Sequence, residues 1–128
     1  MDILIDSNII IYSILPDYQY LHVVFNTSYV YCSSISYVEV LGFEKITHQA
    51  KDYFEIFFQS TVLLPVSDKV IQRATELRQI KKMKLGYSLI ASTALVNNLA
   101  IVTRNVSDFE HIQELKILNP IDNKNLQF

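Results

Sequence analysis

The chain has 128 residues, a formal net charge of −2 and a hydrophobic fraction of 50%, with only 2 glycines and 3 prolines. This length and composition exclude a disordered tail, a collagen-like repeat and a proline-rich linker, and they predict a single domain spanning residues 1–128. A single cysteine excludes an internal disulfide framework, and no apolar run is long enough to span a membrane. Because a basic N-terminal leader is also missing, we expect a soluble cytoplasmic protein with no membrane partner.

Short runs of β-branched and aromatic residues alternate with longer stretches of helical periodicity. The expected order is strand 3–5, helices 7–14 and 18–26, strand 29–35, helices 36–49 and 51–59, strand 61–66, a helix capped at Ser67–Asp68, helix 86–98, and strands 99–103 and 116–118. This alternation predicts an α/β fold, in which helices cover both faces of a parallel central sheet. Ligands of such sheets bind at the carboxyl ends of the strands.

Three acidic residues fall near those strand ends. Asp6 directly follows the first strand, Glu39 lies one turn into the helix after the second, and Asp108 follows the strand at 99–103. Carboxylates that converge from separate strands are suitable ligands for Mg²⁺ or Mn²⁺. A cation held there can orient water and offset the charge of a phosphodiester.

Each acid also has a purely structural explanation. Glu39 can complete a capping box that begins at Ser36. Asp6 can cap the helix that follows it, and Asp108 can cap a last short helix. Asp6 is the hardest to explain in this way, because a charge at the end of a buried strand must be paired or bound to a metal. Polar neighbours that can support the acids are Asn8, Thr103 and Asn105, although Asn105 can equally lie in a turn.

The segment from residue 77 to residue 107 contains positive charges and no acid. Its cations are Arg78, Lys81, Lys82, Lys84 and Arg104. A local positive patch beside an acidic cluster is what binding to a nucleic-acid backbone requires. The alternative is a solvated helix end, whose cations favour the helix dipole.

Aromatic residues are dense in the first half of the chain. Five of the eight tyrosines fall between Tyr12 and Tyr31, and Phe54, Phe57 and Phe58 lie close together. A small monomer does not easily hide so much large apolar surface, so we expect a homodimer or a complex with a partner protein.

Four strings occur in order along the chain: IDSNIIIY, SSISYVEVLGF, KLGYSLIASTALVNNLAIVTRNVSDFE and LNP. From residue 2 to about residue 120, they resemble the motifs of the PIN-domain nucleases, and in particular the VapC-type toxins of bacterial toxin–antitoxin pairs. The resemblance implies a three-layer α/β/α sandwich. It also implies an endoribonuclease that requires Mg²⁺ or Mn²⁺, is often homodimeric, and is commonly inhibited by a small antitoxin.

The resemblance also implies roles for individual residues. Asp6, Glu39 and Asp108 match the first, second and fourth acids of the family, which makes them the expected metal ligands and catalytic residues. Asn105 is an alternative contact in the same loop as Asp108. The polar positions that commonly support the site match Asn8 and Thr103.

One position departs from the family pattern. The third acid is replaced by Tyr87, and no acidic residue occurs between Glu76 and Asp108. A phenol is neutral at pH 7 and a poor ligand for a hard cation, so we expect reduced affinity for Mg²⁺ or Mn²⁺ and weakened cleavage.

Two functions therefore stay open. One is a weakened metal-dependent endoribonuclease, and the other is a catalytically inactive PIN domain that binds RNA or a protein. A third, receiver-like α/β domain needs an aspartate at the end of a central strand, and neither strand 29–35 nor strand 61–66 ends in one.

Overall fold

Five strands form one parallel sheet in the computed structural model, which describes residues 1–122. The strands are β1 (Asp2–Ile5), β2 (Tyr29–Ser33), β3 (Val62–Leu64), β4 (Ala100–Val102) and β5 (Ile117–Leu118). The α-helices are α1 (Ser7–Tyr12), α2 (Leu21–Asn26), α3 (Ser34–Leu41), α4 (His48–Gln59), α5 (Asp68–Ile80) and α6 (Leu85–Val96), with short 3₁₀ helices at Pro16–Tyr18 and Val106–Asp108. Residues 123–128, which the predicted domain includes, lie outside the described residues.

The strand order, β3-β2-β1-β4-β5, places β1 at the centre of the sheet. Ile3 pairs with Val30 of β2 on one side and with Ala100 of β4 on the other. The chain builds outward from β1 to β3 and then crosses back to β4, so the direction of winding reverses beside β1. This topology confirms the predicted three-layer α/β/α sandwich, and it puts the usual ligand-binding crevice at the carboxyl ends of β1 and β4.

Apolar residues pack against both faces of the sheet. Ile3 and Ile5 belong to one buried cluster, while Leu4 belongs to the other, because successive strand side chains point to opposite faces. Phe54, Phe57 and Phe58 lie in the first cluster. Of the two places that their helical spacing allows, core or interface, they occupy the core, so they add no exposed surface for association.

The break between the helices predicted over 36–49 and 51–59 lies earlier, at residues 42–47, because two caps override the periodicity. Ser33 Oγ accepts from the backbone N–H of Ile35 at 3.1 Å, so α3 starts earlier than predicted and Ser36 is buried within it. Thr47 Oγ1 accepts from the N–H of Ala50 at 3.1 Å and starts α4 after a loop. The capping box expected at Ser36 therefore does not form, and Glu39 lies within α3 instead.

The other boundary differences are small. The helix predicted over 7–14 ends at Tyr12, and the one predicted over 18–26 is split between a 3₁₀ helix and α2. Within residues 1–122, every helix is too short or too polar to cross a membrane.

Candidate active site

Asp6 lies at the carboxyl end of β1 and is only 1% exposed. Its Oδ1 accepts from the backbone N–H of Ser7 at 2.8 Å, and its Oδ2 accepts from the Thr103 hydroxyl at 2.7 Å and from the Asn8 amide at 2.9 Å. Burial raises the pKa of Asp6, and the charge of Glu39 adds to this, while the three hydrogen bonds oppose the rise. Asp6 therefore caps α1 and also presents a constrained, partly desolvated carboxylate.

Glu39 reaches the same region from α3. The Ser7 hydroxyl donates to Glu39 Oε1 at 2.7 Å and lies 2.9 Å from Ser36 Oγ. On the facing helix, a Cβ placed at Gly86 would lie 3.3 Å from Glu39 Oε2, so glycine leaves room for the carboxylate between α3 and α6. Ser7 thus links the two acids, because its backbone N–H donates to Asp6 and its hydroxyl donates to Glu39. The sequence did not indicate this contact.

Tyr87 lies among the three acids. Burial raises the pKa of its phenol, and the negative charges of Asp108, Asp6 and Glu39 raise it further. The phenol oxygen accepts from the side-chain amide of Asn105 at 3.0 Å, so Asn105 positions Tyr87 rather than an acid. The tyrosine is therefore within electrostatic reach of every carboxylate that the resemblance assigns to the site.

Asp108 is the last residue of the 3₁₀ helix Val106–Asp108, and the N-cap of that helix is Asn105. The structural explanation of Asp108 as a helix cap is therefore wrong. Its exposed carboxylate instead faces a cavity beside Tyr87.

That cavity has a volume of about 480 Å³ and is called the basic cavity below. It is lined by Arg78, Lys81, Lys82, Met83, Lys84, Tyr87, Ser107, Asp108 and His111. Four of the five cations identified in the sequence thus lie beside Tyr87 and Asp108 of the candidate site. The sequence did not predict His111 there, because this histidine belongs to no recognisable motif.

Arg104, the fifth cation, lies elsewhere. Its side chain hydrogen-bonds the hydroxyl of Tyr12 and lies over that ring, 5.4 Å from the centroid. Its backbone N–H donates to Asn8 Oδ1 at 3.2 Å, which connects it to the surroundings of Asp6.

An apolar groove of about 450 Å³ opens next to Glu39. Its apolar walls include Ile11, Ile14, Val40, Phe43, Ile46 and Phe54. Phe43 is 56% exposed, so the groove presents apolar surface to solvent. Its residues come from α1, α3, α4 and the loop before α4, so no single sequence segment indicated it.

The chemistry of the three acids suits a divalent cation, but they are not grouped closely enough to bind one all together. Carboxylate oxygens are the ligands that Mg²⁺ and Mn²⁺ prefer. Among residues 1–122, however, no three acidic, histidine or cysteine side chains are grouped so that they could hold a metal ion. Because Mg²⁺ is often held by one or two carboxylates and several waters, the residues fit a cation bound by part of the acidic set.

Neither a protein-family model nor a curated protein matches the chain. Solved structures do match it. A chain of the VapBC2 complex from Rickettsia felis, bound to a DNA fragment of its promoter, has 25% identity and a TM-score of 0.77, over 93% of this chain and 98% of its own. A toxin–antitoxin complex from Klebsiella pneumoniae matches with 25% identity and a TM-score of 0.76, over 92% and 97%. A DNA-bound VapBC complex from Salmonella typhimurium matches with 22% identity and a TM-score of 0.80, over 93% and 98%.

The parallel sheet, its helical layers and these matches define a PIN-like α/β/α domain. Within that class, the chain is similar to chains of VapBC toxin–antitoxin complexes, which agrees with the resemblance to VapC-type toxins that the sequence motifs indicated. This assignment replaces the receiver-like alternative.

Proposed function

We propose that the chain is the toxin of a toxin–antitoxin pair, a cytoplasmic endoribonuclease that depends on Mg²⁺ or Mn²⁺ and is weakened by Tyr87. The observation that carries this proposal is the placement of Tyr87, which lines the basic cavity beside Asp108 while the adjacent Gly86 lies against Glu39, in a fold similar to that of VapBC chains. At the position where the family has a further acid, this chain has a phenol.

The chain's own residues would prepare the acids for this chemistry. When bound, a divalent cation supplies positive charge that offsets the charge of the phosphodiester during hydrolysis. Part of the set Asp6, Glu39 and Asp108 would hold it, with water completing its coordination. Thr103 and Asn8 fix the orientation of the Asp6 carboxylate, and Ser7 does the same for Glu39.

RNA is the substrate that the surroundings favour. The basic cavity places Arg78, Lys81, Lys82 and Lys84 beside Asp108, where they can contact backbone phosphates. The Arg104 guanidinium lies outside this cavity, over the Tyr12 ring, and would offer a separate cationic contact to the RNA. We expect cleavage to leave a 5′-phosphate and a 3′-hydroxyl.

The antitoxin would bind in the apolar groove beside Glu39. An amphipathic helix that lays its apolar face into this groove would bury Phe43 and Ile11, both of which are exposed in the isolated chain. Such a helix would also cover the approach to Glu39, which offers a direct route to inhibition.

Cleavage of a fluorogenic RNA in Mn²⁺ tests the proposal. The chain should cut weakly, and Tyr87→Asp should raise both Mn²⁺ affinity and the cleavage rate by at least about 10-fold, because it restores a carboxylate among the others. Asp6→Asn added to that variant should abolish the gain. Tyr29→Asp, the same substitution at an exposed tyrosine of β2, serves as the matched control and should change neither quantity.

Two results would contradict the proposal. One is a folded Tyr87→Asp variant in which neither Mn²⁺ binding nor cleavage changes. The other is strong cleavage by the unmodified chain, which would show that the position of Tyr87 needs no carboxylate.

A second candidate function is an inactive PIN domain that binds RNA or a protein. It is favoured by the lack of any three-residue metal group among residues 1–122. RNA binding in EDTA that persists without any cleavage, even after Tyr87→Asp, would support this second function.

A further inference from the structure

We propose that the basic cavity binds the terminal phosphate of an RNA, a phosphate monoester, in preference to the phosphodiesters of the backbone. This inference rests on the proposed function, because it names the part of an RNA that the same cleft recognises. It applies equally to a chain that cleaves RNA and to one that only binds it.

The charge of the cavity favours a ligand with more than one negative charge. Four cationic side chains and one carboxylate line it. A backbone phosphodiester offers a single negative charge, whereas a phosphate monoester with a second pKa of about 6 carries about −1.5 to −2 at pH 7. The volume of about 480 Å³ lies within the usual range of about 300–1,000 Å³ for small-ligand sites, so a terminal nucleotide can be accommodated.

His111 supplies an independent indication of a ligand. Both of its ring nitrogens are buried, and neither has a hydrogen-bond partner within residues 1–122. Buried polar atoms are normally hydrogen-bonded, and an imidazole carries at least one N–H donor. Since neither nitrogen reaches the surface of the cavity, the imidazole ring must turn for its N–H to donate to a phosphate oxygen there. The hydroxyl of Ser107, which also lines the cavity, is a second donor.

Two further contacts shape the cavity wall. Arg78 Nε donates to the carbonyl oxygen of Met83 at 3.2 Å, which holds the guanidinium against the loop between α5 and α6. Lys84 Nζ lies 5.6 Å from the centroid of the Tyr87 ring, so the ammonium group is directed toward the candidate active site. Both cations are thus placed at the cavity by contacts within the protein.

Asp108 opposes the binding of any phosphate in this cavity. Its carboxylate repels a dianionic monoester more strongly than a monoanionic diester. Four cations against one carboxylate leave the cavity with a net positive charge, so the second negative charge of a monoester is attracted on balance.

The test compares three RNA oligonucleotides of one sequence, with a 5′-phosphate, with a 3′-phosphate and with neither. Their binding to the whole chain is measured by calorimetry in EDTA, so that cleavage plays no part. One terminal phosphate should strengthen binding by about 10-fold, as expected for charge-assisted hydrogen bonds, and the end that does so identifies the ligand. Competition by inorganic phosphate or by a nucleoside monophosphate distinguishes recognition of phosphate alone from recognition of a nucleotide.

Variants locate the effect. Lys82→Gln and His111→Ala should each reduce the preference for a terminal phosphate. Lys69→Gln on α5 and His48→Ala on α4 change side chains outside the cavity and should leave the preference unchanged. Tyr87→Asp should reduce the preference too, because it adds negative charge to the wall, although it is expected to raise Mn²⁺ affinity.

Equal affinity for the three oligonucleotides would overturn the inference, as would a preference that Lys82→Gln leaves intact. Neither result bears on cleavage in Mn²⁺, so this inference and the proposed function can fail separately.

Discussion

Asp6 serves two purposes with one carboxylate. It caps α1 through the N–H of Ser7, and its other oxygen is held by Thr103 and Asn8 for the candidate site. A buried carboxylate is costly even with these donors, because burial outweighs them and raises its pKa. Such a carboxylate lowers the stability of the fold, a cost that is typical of residues placed in a functional site.

We predict that Asp6→Asn stabilises the fold at neutral pH. The folded chain raises the pKa of Asp6 above 3.8, so the folded state binds its proton more tightly than the unfolded state does. The stability associated with this group is therefore greatest below that value and is lost as the pH rises through the folded pKa. Every tenfold change in the acid constant is worth about 1.4 kcal/mol, and asparagine removes the cost of the buried charge.

Urea unfolding of Asp6→Asn and of the parent chain, at several pH values between 4 and 8, measures this difference. The gain should be largest at neutral pH and should shrink toward pH 4. Asp2→Asn, at an exposed carboxylate of the same strand, is the control and should show no such pH dependence. A variant that is less stable than the parent at pH 7 would contradict the prediction.

At this scale, the sequence revealed the residues that flank strand ends and missed those that reach the site through packing. Asp6 and Thr103 each follow an apolar strand, so the place of both in the fold follows from local pattern. Ser7 and His111 take their positions from contacts between elements distant in the chain, and no local pattern encodes such contacts.

The helices that support the site depend on their caps. Ser33 starts α3, which positions Glu39, and Thr47 starts α4, which forms part of the apolar groove. The helical periodicity of this region is almost continuous, so the sequence prediction places the break between the two helices near residue 50 instead of at residues 42–47. Only the side-chain to backbone bonds, which depend on local geometry, divide them.

We predict that Thr47→Ala lowers the free energy of unfolding by about 1 kcal/mol, because the N–H of Ala50 loses its acceptor. Thr47→Ser keeps a hydroxyl at the same position and should restore most of the loss. Both variants are compared with the parent by urea unfolding. If the serine and alanine variants proved equally unstable, the cap would not be the cause.

Three separate depressions lie on the surface of this fold, one basic and two apolar. Its net charge of −2 conceals a basic cavity whose cations outnumber its single acid. The apolar groove beside Glu39 and an apolar hollow of about 300 Å³ between α5 and α6 complete the set. The alternation of strands and helices predicted the fold class, and the density of aromatic residues predicted the need to cover apolar surface. Neither showed where that surface lies, because the packing of all the layers together decides which side chains are exposed.

We predict that the chain forms a homodimer through the hollow between α5 and α6. Ile71 and Leu85 line this hollow and are 50% and 59% exposed. A second copy of the chain would bury both side chains, and burial of apolar surface drives association at about 25 cal/mol per Å². The phenylalanines of α4 cannot play this part, because they are in the core.

Light scattering at high micromolar concentration measures the oligomeric state. The parent chain should be dimeric, and Ile71→Glu should be monomeric, because it places a charge in an apolar interface. Val23→Glu, at an exposed valine of α2, is the matched control and should stay dimeric. A parent chain that is purely monomeric and brings no other protein through purification would contradict the prediction. A dimer that persists in Ile71→Glu would place the interface elsewhere on the molecule and contradict the assignment to this hollow.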